Sequence, residues 1–206
     1  MTPHIVVPLR DVSSGTFAIG VLIERIDIEY AKRADDAWDT YVAAERARAK
    51  YKGLKIPSLE HGHWQWGEKV AASAHLLSLP TFALESGGEA QGLMLVQTDG
   101  CFGRLPEQKG KPLVYITYLS AAPWNLRAYG TPRFQGVGQV LLRAAIEKSI
   151  ELEFKGRIGL HSLPQSESFY QRRGMKGLGR DADKENLEYF EMTADAASEF
   201  IKKGIK

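Results

Sequence analysis

The residues with the clearest chemical potential form one short run, Arg133-Phe134-Gln135-Gly136-Val137-Gly138, directly before a segment of helical periodicity. The first turn of a helix leaves several backbone N–H groups without internal acceptors and carries a partial positive charge. Glycine at such a turn lets a phosphate approach the backbone, and the Arg133 guanidinium adds a formal charge. The run therefore fits a pyrophosphate cradle. Taken alone, two glycines favour a plain loop that leads into a helix. Other phosphate motifs fit worse. A dinucleotide fingerprint G-x-G-x-x-G starting at Gly136 needs glycine where Leu141 stands. A P-loop needs serine or threonine after Gly110-Lys111, where Pro112 follows. His61 and His63 share a loop but lack a third ligand at metal spacing, so no metal is expected. The single cysteine, Cys101, excludes an intrachain disulfide and a cysteine-based zinc site.

Around the glycine run the hydrophobic pattern predicts alternating strands and helices. Residues 113–119 are β-branched and aromatic on both faces, which predicts a central strand covered on both sides. Residues 138–154 have helical periodicity, with Leu141, Leu142, Ala145, Ile146 and Ser149 on one face. A strand at 157–161, a short helix at 166–173 ended by Gly174, a strand at 187–192 and a helix at 194–203 follow. Upstream, strands at 81–85 and 91–97 flank Ser86-Gly87-Gly88-Glu89, a hairpin signal. An N-terminal helical region spans about 29–78. Its first helix runs from about Asp35, with acids early and bases late, to near Gly53; its second runs from 66 to 77 and stops before Pro80. Residues 22–28 read as a strand or as an early helical turn. Together these predict one α/β domain over 1–206 with a mixed sheet.

Composition narrows the class. The chain has 206 residues, 44% hydrophobic and 25% charged, which excludes a disordered or collagen-like chain. A net charge of +2, from 27 basic and 25 acidic residues, gives no global drive towards nucleic acid or anionic membrane. The basic run from Arg46 to Lys52 reads as a solvated helix end. Residues 1–10 carry no apolar core preceded by basic residues, and no stretch is long and apolar enough to cross a bilayer. A soluble, cytoplasmic protein is expected.

Arg133-x-x-Gly136-x-Gly138 resembles the R/Q-x-x-G-x-G/A coenzyme A signature of the GNAT family of N-acetyltransferases. Downstream, Phe169-Tyr170-Gln171-Arg172-Arg173-Gly174-Met175 resembles that family's F/L-Y-x-x-x-G-F segment, with Met175 in place of the usual aromatic. One predicted helix and one predicted strand separate the two motifs, as in the family. The resemblance covers residues 81–192 well and the N-terminal helices more loosely. It implies a GNAT-like mixed, splayed sheet flanked by helices on both faces. Acetyl-CoA would bind where two parallel strands diverge, here 113–121 and 157–161. Backbone groups of Leu119, Ser120 and Ala121 would pair with the pantetheine arm. Backbone N–H groups of Gln135, Gly136, Val137, Gly138 and Gln139, next to Arg133 and Phe134, would hold the pyrophosphate. Tyr170 matches the tyrosine that protonates the departing thiolate, a poor leaving group unless it receives a proton or hydrogen bond.

The chain also departs from the family pattern. Residues 122–132 form a longer link than usual between the strand and the glycine turn. With Trp124, Asn125, Arg127 and Tyr129, this link fits a wall of the acceptor pocket, or equally a structural flap tied down by two prolines. No carboxylate lies on 113–121 to serve as base, so His161, at the end of the other diverging strand, becomes the first candidate, followed by Glu85 and Glu89. His161 fits a hydrogen-bonded strand-end histidine as well. The asparagine often found after this strand is absent, with Ser162 and Gln165 nearby. His63 and Trp64 precede the helix that borders the acceptor side in the family, so they are expected to recognise the acceptor.

The resemblance thus implies an N-acetyltransferase. Its acetyl-CoA co-substrate would be attacked directly by an amine, of a small molecule or peptide, in a ternary complex. Cys101 lies beside the Asp99-Gly100 turn, so no acyl-cysteine step is indicated. Two other readings fit the same residues. A non-catalytic acyl-CoA-binding module is supported by the missing carboxylate. A toxin-like acetyltransferase of aminoacyl-tRNA would need a basic surface, to which Arg127, Arg133, Arg172 and Arg173 would contribute. Apart from that substrate, no nucleic acid and no membrane partner is expected. A homodimer is compatible, since dimers are common in the family.

Overall fold

In the computed structural model, residues 4–56 and 59–204 are described. The chain begins with an antiparallel pair, β1 (His4–Asp11) and β2 (Phe17–Glu24), with Ile5 opposite Leu22 and Arg10 opposite Phe17. Asp11 shapes the turn between them: its Oδ1 accepts from Ser13 N at 2.8 Å and Ser14 N at 3.1 Å. Helix α1 (Ile28–Tyr51) starts where Asp27 Oδ1 accepts the Tyr30 N–H at 2.6 Å. It buries Ala31, Ala34, Asp35 and Trp38, one stripe at helical spacing. Helix α2 (Trp66–Ser73) follows, then β3 (Thr81–Ser86), β4 (Glu89–Gln97), β5 (Val114–Ala121) and the two-residue β6 (Phe134–Gln135). Helix α3 (Val137–Glu151), β7 (Ile158–Ser162), α4 (Glu167–Arg172), β8 (Lys176–Asp181), β9 (Leu187–Met192) and α5 (Ala194–Lys203) complete the order.

The strands form one open mixed sheet in the order β6-β1-β2-β3-β4-β5-β7-β9-β8. β5 and β7 run parallel, whereas β1–β2, β1–β6, β2–β3, β7–β9 and β8–β9 are antiparallel. This is the mixed α/β architecture that the hydrophobic pattern predicts.

The chain divides into two compact units, Met1–Met94 with Leu119–Leu141 and Leu95–Tyr118 with Leu142–Lys206. The core of the first contains Leu9, Leu22, Trp38, Trp66, Val70, Leu84, Leu93, Met94, Phe134 and Leu141. That of the second contains Leu113, Val114, Ile116, Leu142, Ile146, Ile158, Leu160, Phe190 and Met192. Each such side chain taken from water contributes roughly 1.5–3 kcal/mol before chain entropy is counted.

Several elements differ from the sequence expectation. Residues 22–28 resolve into the end of β2 and the Asp27 cap, and α1 begins at Ile28 rather than near Asp35. Helix α2 ends at Ser73, and tight turns, Leu76 N to Ser73 O at 2.9 Å and Leu79 N to Leu76 O at 3.1 Å, carry the chain to Pro80. β1, β6 and β8 were not foreseen. In β5 only Val114, Ile116 and Ser120 are buried, while Tyr115, Thr117, Tyr118, Leu119 and Ala121 are half-buried. One face of this strand is therefore covered less than its composition suggests.

Candidate active site

The glycine run forms the turn expected of it. Gly136 has a φ of 86°, a backbone conformation that L side chains rarely adopt. Its carbonyl accepts both Gln139 N and Val140 N at 2.9 Å, which opens α3. Val137 and Gly138 stand in the first turn, where N–H groups have no intrahelical acceptor. The approach to this turn is pinned: Phe134 N donates to Asn125 Oδ1 at 2.9 Å, Val12 N donates to Arg133 O at 3.0 Å, and Gln135 pairs with Arg10. A second glycine brings the helix close. A Cβ at Gly92 would stand 2.8 Å from Val137 Cγ1 and 3.0 Å from both Leu141 Cδ1 and Ser120 O. The start of α3 and the end of β5 thus meet over one bare Cα of β4. Arg133 is ion-paired with Glu89 at the surface, and its guanidinium carbon lies 5.2 Å from the Phe134 ring centroid.

The end of β5 presents its backbone in two directions. Ala122 N donates to Gln91 O at 2.9 Å, and the Ser120 carbonyl faces Gly92, so these groups are turned towards β4. Strand alternation turns those of Leu119 and Ala121 the other way. The parallel pairs of β5 with β7 are Val114↔Ile158, Tyr115↔Gly159 and Ile116↔Leu160, and they stop short of Leu119. The Ser120 side chain, 4% exposed, accepts the Trp66 indole N–H at 3.0 Å.

A cavity of about 230 Å³ lies against Ser120 and Ala121. α1 supplies Asp35, Trp38 and Asp39, the loop before α2 supplies His61 and Trp64, α2 supplies Trp66, and the link after β5 supplies Pro123 and Tyr129. Asp35 organises one side. Its two oxygens accept Trp66 N at 2.9 Å and Gly67 N at 2.7 Å, so a carboxylate of α1 closes the start of α2, where Gln65 gives no side-chain cap. Burial nevertheless raises the Asp35 pKa, against these two N–H groups and with help from Asp39 and Asp36. Burial lowers the His61 pKa and so favours the neutral imidazole.

Of the four residues expected at the acceptor, Trp64 lines this cavity. Trp124 and Asn125 are committed elsewhere, to the fully buried amide of Gln91. Gln91 Oε1 accepts Trp124 Nε1 at 2.8 Å and Asn125 Nδ2 at 3.0 Å, while its Nε2 donates to Ser86 O at 3.2 Å and Glu89 O at 3.1 Å. All four hydrogen-bonding positions of the amide are filled. Trp124 also packs edge-on against Tyr41, with centroids 5.5 Å apart. His63 is exposed and outside the lining. In the 122–132 link, Pro123 and Tyr129 line the cavity, while the tie comes from Trp124 and Asn125 on Gln91 rather than from the two prolines.

In the second unit, Tyr170 is 6% exposed, its ring 5.1 Å from Phe169 and 6.0 Å from Phe190. Burial raises its pKa above the ordinary tyrosine value. His161 is clamped: Nδ1 lies 2.7 Å from the Tyr115 hydroxyl and Nε2 lies 3.0 Å from Asp181 Oδ2. With the proton on Nε2, the ring donates to Asp181 and accepts from Tyr115. Arg104 completes the chain, 2.7 Å from Asp181 and stacked 4.2 Å over the Tyr189 ring. Desolvation lowers the His161 pKa, against the pull of Asp181, and burial lifts Tyr115 to about 12. His161 pairs with Tyr189 and Leu160 with Phe190, so His161 and the Tyr170–Phe190 contact lie on opposite faces of β7 and β9. The structure therefore separates the two expected catalytic side chains by the sheet. Glu85 is half-buried in β3, and Glu89 is held by Arg133. Thr117 Oγ1 is buried without a hydrogen bond among the described residues.

Sequence reasoning named Tyr129 only as part of the link and did not find Asp35, Asp39, Trp38 or Trp66. One signal was present: Asp35 and Asp39 are four apart on a helix, and Trp38 falls between them on the same side.

No protein-family model matches the sequence, and no curated protein matches it. Solved structures do. An uncharacterized protein from Bacillus halodurans is similar over 96% of this chain and 95% of its own, with a TM-score of 0.57 and 9% identity. A protein described as a GNAT-family acetyltransferase from Desulfovibrio desulfuricans is similar over 85% of this chain and 99% of its own, with a TM-score of 0.53 and 9% identity. A GNAT-family acetyltransferase from Listeria monocytogenes is similar over 84% and 94%, with a TM-score of 0.50 and 12% identity. At these identities the likeness is one of fold: this chain has the fold of the GNAT acetyltransferases.

Proposed function

We propose that this protein transfers an acetyl group from acetyl-CoA to an amine. The observation that carries the reading is the convergence at Gly92. There the glycine-opened first turn of α3 meets the end of β5, and the aromatic-walled cavity lies against Ser120 and Ala121 of that same strand end. Anion-ready N–H groups and a cavity for a second reactant on one strand end are what a two-substrate transfer requires.

In this reading the N–H groups of Val137 and Gly138 receive the pyrophosphate, and Arg133 exchanges Glu89 for phosphate oxygen. Leu119 and Ala121, whose backbone groups turn away from β4, pair with the pantetheine arm, and one of their N–H groups polarises the thioester carbonyl. The amine nitrogen bonds to the carbonyl carbon, the C–S bond breaks, and its electron pair leaves on sulfur. The resemblance gives Tyr170 the task of supplying a proton or hydrogen bond to that thiolate; burial raises its pKa and makes the phenol a weaker acid, which favours the hydrogen bond over full proton transfer. His161 has both ring nitrogens engaged. The ammonium proton is better accepted by the carboxylates that line the cavity, Asp35 and Asp39, directly or through water.

Calorimetric titration with acetyl-CoA, followed by thiol release on addition of amines, tests the reading. Saturable binding and amine-dependent release are expected. A folded sample that binds neither acetyl-CoA nor CoA rules the function out, and binding without amine-dependent release leaves a non-catalytic acyl-CoA module.

A further inference from the structure

The cavity's walls restrict what can occupy it. Trp38, Trp64, Trp66 and Tyr129 bring aromatic rings to a space of about 230 Å³, room for one ring-sized body with a short tail. Trp64 and Trp66 meet edge to face, 6.5 Å apart at 82°, and so form a rigid corner. The polar groups are sided. Asp35 and Asp39 project from successive turns of one face of α1, and Ser120 Oγ is taken up by Trp66. Asp35 already accepts two backbone N–H groups, whereas Asp39 is exposed at the rim with its acceptor capacity open to a ligand. Of the two basic side chains of the lining, Arg46 stands two turns beyond Asp39 along α1, and burial favours the neutral form of His61. The corner already draws a cation on its outside, where Lys69 Nζ lies 5.3 Å from the Trp64 ring centroid.

We infer that the acceptor taken by this cavity is a primary ammonium carried on a flat aromatic body, with the ring against Trp38, Trp64 and Tyr129 and the ammonium drawn to Asp39 and the adjoining ring faces. This deepens the acyl-transfer reading and rests on it for the word acceptor, but the binding itself needs no acyl-CoA. Rings supply the contact area, because stacked aromatic pairs add to simple burial. The carboxylate supplies the sign, because an anion placed beside Asp35 and Asp39 would be repelled. A long aliphatic polyamine lacks the ring to fill the walls, and a neutral aromatic alcohol lacks the charge.

The test is titration of the full chain, without acyl-CoA, followed by intrinsic tryptophan fluorescence and calorimetry. The probes are phenethylammonium, the neutral phenethyl alcohol, the anionic phenylacetate and the ringless propylammonium. Phenethylammonium is expected to bind saturably and at least about tenfold more tightly than each of the other three. Asp39→Asn, at an exposed position, is expected to weaken phenethylammonium by about fivefold or more while leaving phenethyl alcohol unchanged, and Trp64→Ala is expected to weaken both. Equal binding of the alcohol and the ammonium, tighter binding of phenylacetate or propylammonium, or no saturable binding of phenethylammonium each overturns the inference. A parallel titration with acetyl-CoA separates the two claims. If acetyl-CoA binds and phenethylammonium does not, the inference fails while acyl transfer stands. If phenethylammonium binds and acetyl-CoA does not, the cavity assignment stands and transfer fails.

Discussion

Tyr170 and His161 handle a proton in opposite ways. Burial against Phe169 and Phe190 disfavours the Tyr170 phenolate, so the acid role that the resemblance implies has to work against a raised pKa. Tyr170→Phe should keep the ring packing and lower turnover by about a hundredfold, with acetyl-CoA affinity unchanged in calorimetry. Turnover within about twofold of wild type, with chemistry rate-limiting, would remove the acid role. His161 and Asp181 instead read out in stability. The Arg104 and His161 hydrogen bonds hold Asp181 at about 2, below its ordinary 3.8. As pH falls the unfolded chain therefore takes up this proton first, so the stabilisation is complete above 3.8 and is lost as pH falls through about 2. His161, lowered by desolvation, acts in the same direction, from its ordinary 6.5 downward. Melting temperatures measured across this acid range should fall less steeply for Asp181→Asn than for wild type; parallel curves would show that the chain from Tyr115 to Arg104 is not what titrates. The motif positions of Tyr170 and Gly136 were legible in the sequence because they are local patterns. The clamp on His161 was not, because Tyr115 and Asp181 lie 46 and 20 residues away from it.

At the scale of elements, α3 was legible because Leu141, Leu142, Ala145, Ile146 and Ser149 share one face, and all five are buried. β9 and α5 fall where periodicity places them. β6 was hidden for a physical reason: its pairing, Gln135 with Arg10 and Phe134 with Asp11, joins segments far apart in sequence, and a two-residue strand has no period to read. β1 pairs locally with β2 but carries Pro8, which weakens a strand signal. The cavity was hidden in the same way, since α1, the loop before α2 and the link after β5 each contribute only a few of its residues. The contact between β4 and α3 can be tested directly. A methyl group at position 92 must displace Val137 or Leu141, or press on the Ser120 carbonyl. Gly92→Ala should destabilise the protein by about 1–3 kcal/mol in urea unfolding and weaken acetyl-CoA binding, because the first turn of α3 moves. An unchanged affinity would show that the turn does not hold the cofactor.

Over the whole molecule, composition excluded a disordered chain and the hydrophobic pattern predicted an α/β fold; the structure has that class with a sheet order no local pattern specifies. A net charge of +2 leaves solubility to the distribution of apolar surface. Among the described residues no helix is long and apolar enough to cross a membrane. The outer face of the β1–β2 pair is apolar: Val6 is 69% exposed, and Phe17 and Ile19 are each 71% exposed. Replacing Phe17 and Ile19 together by serine should leave stability within about 0.5 kcal/mol and raise the ammonium sulfate concentration needed for precipitation. A clear loss of stability would mean that this face is packed in solution.

The Gln91 amide also orders events in time. Its bond to Trp124 joins residues 33 apart in the chain, so it forms only after the entropy of closing that loop has been met. Ser86 and Glu89, on the same hairpin, reach the amide at far smaller separations, so the hairpin should assemble first and the link should dock onto it afterwards. Trp124→Phe should therefore lose about 1 kcal/mol, expressed as roughly fivefold faster unfolding with an unchanged refolding rate in stopped-flow measurements. Slower refolding would instead place the link in the folding nucleus. If the link docks last, it is also the first part to let go, and the lifetime of the cavity wall, rather than its equilibrium stability, sets how long the cavity keeps its shape.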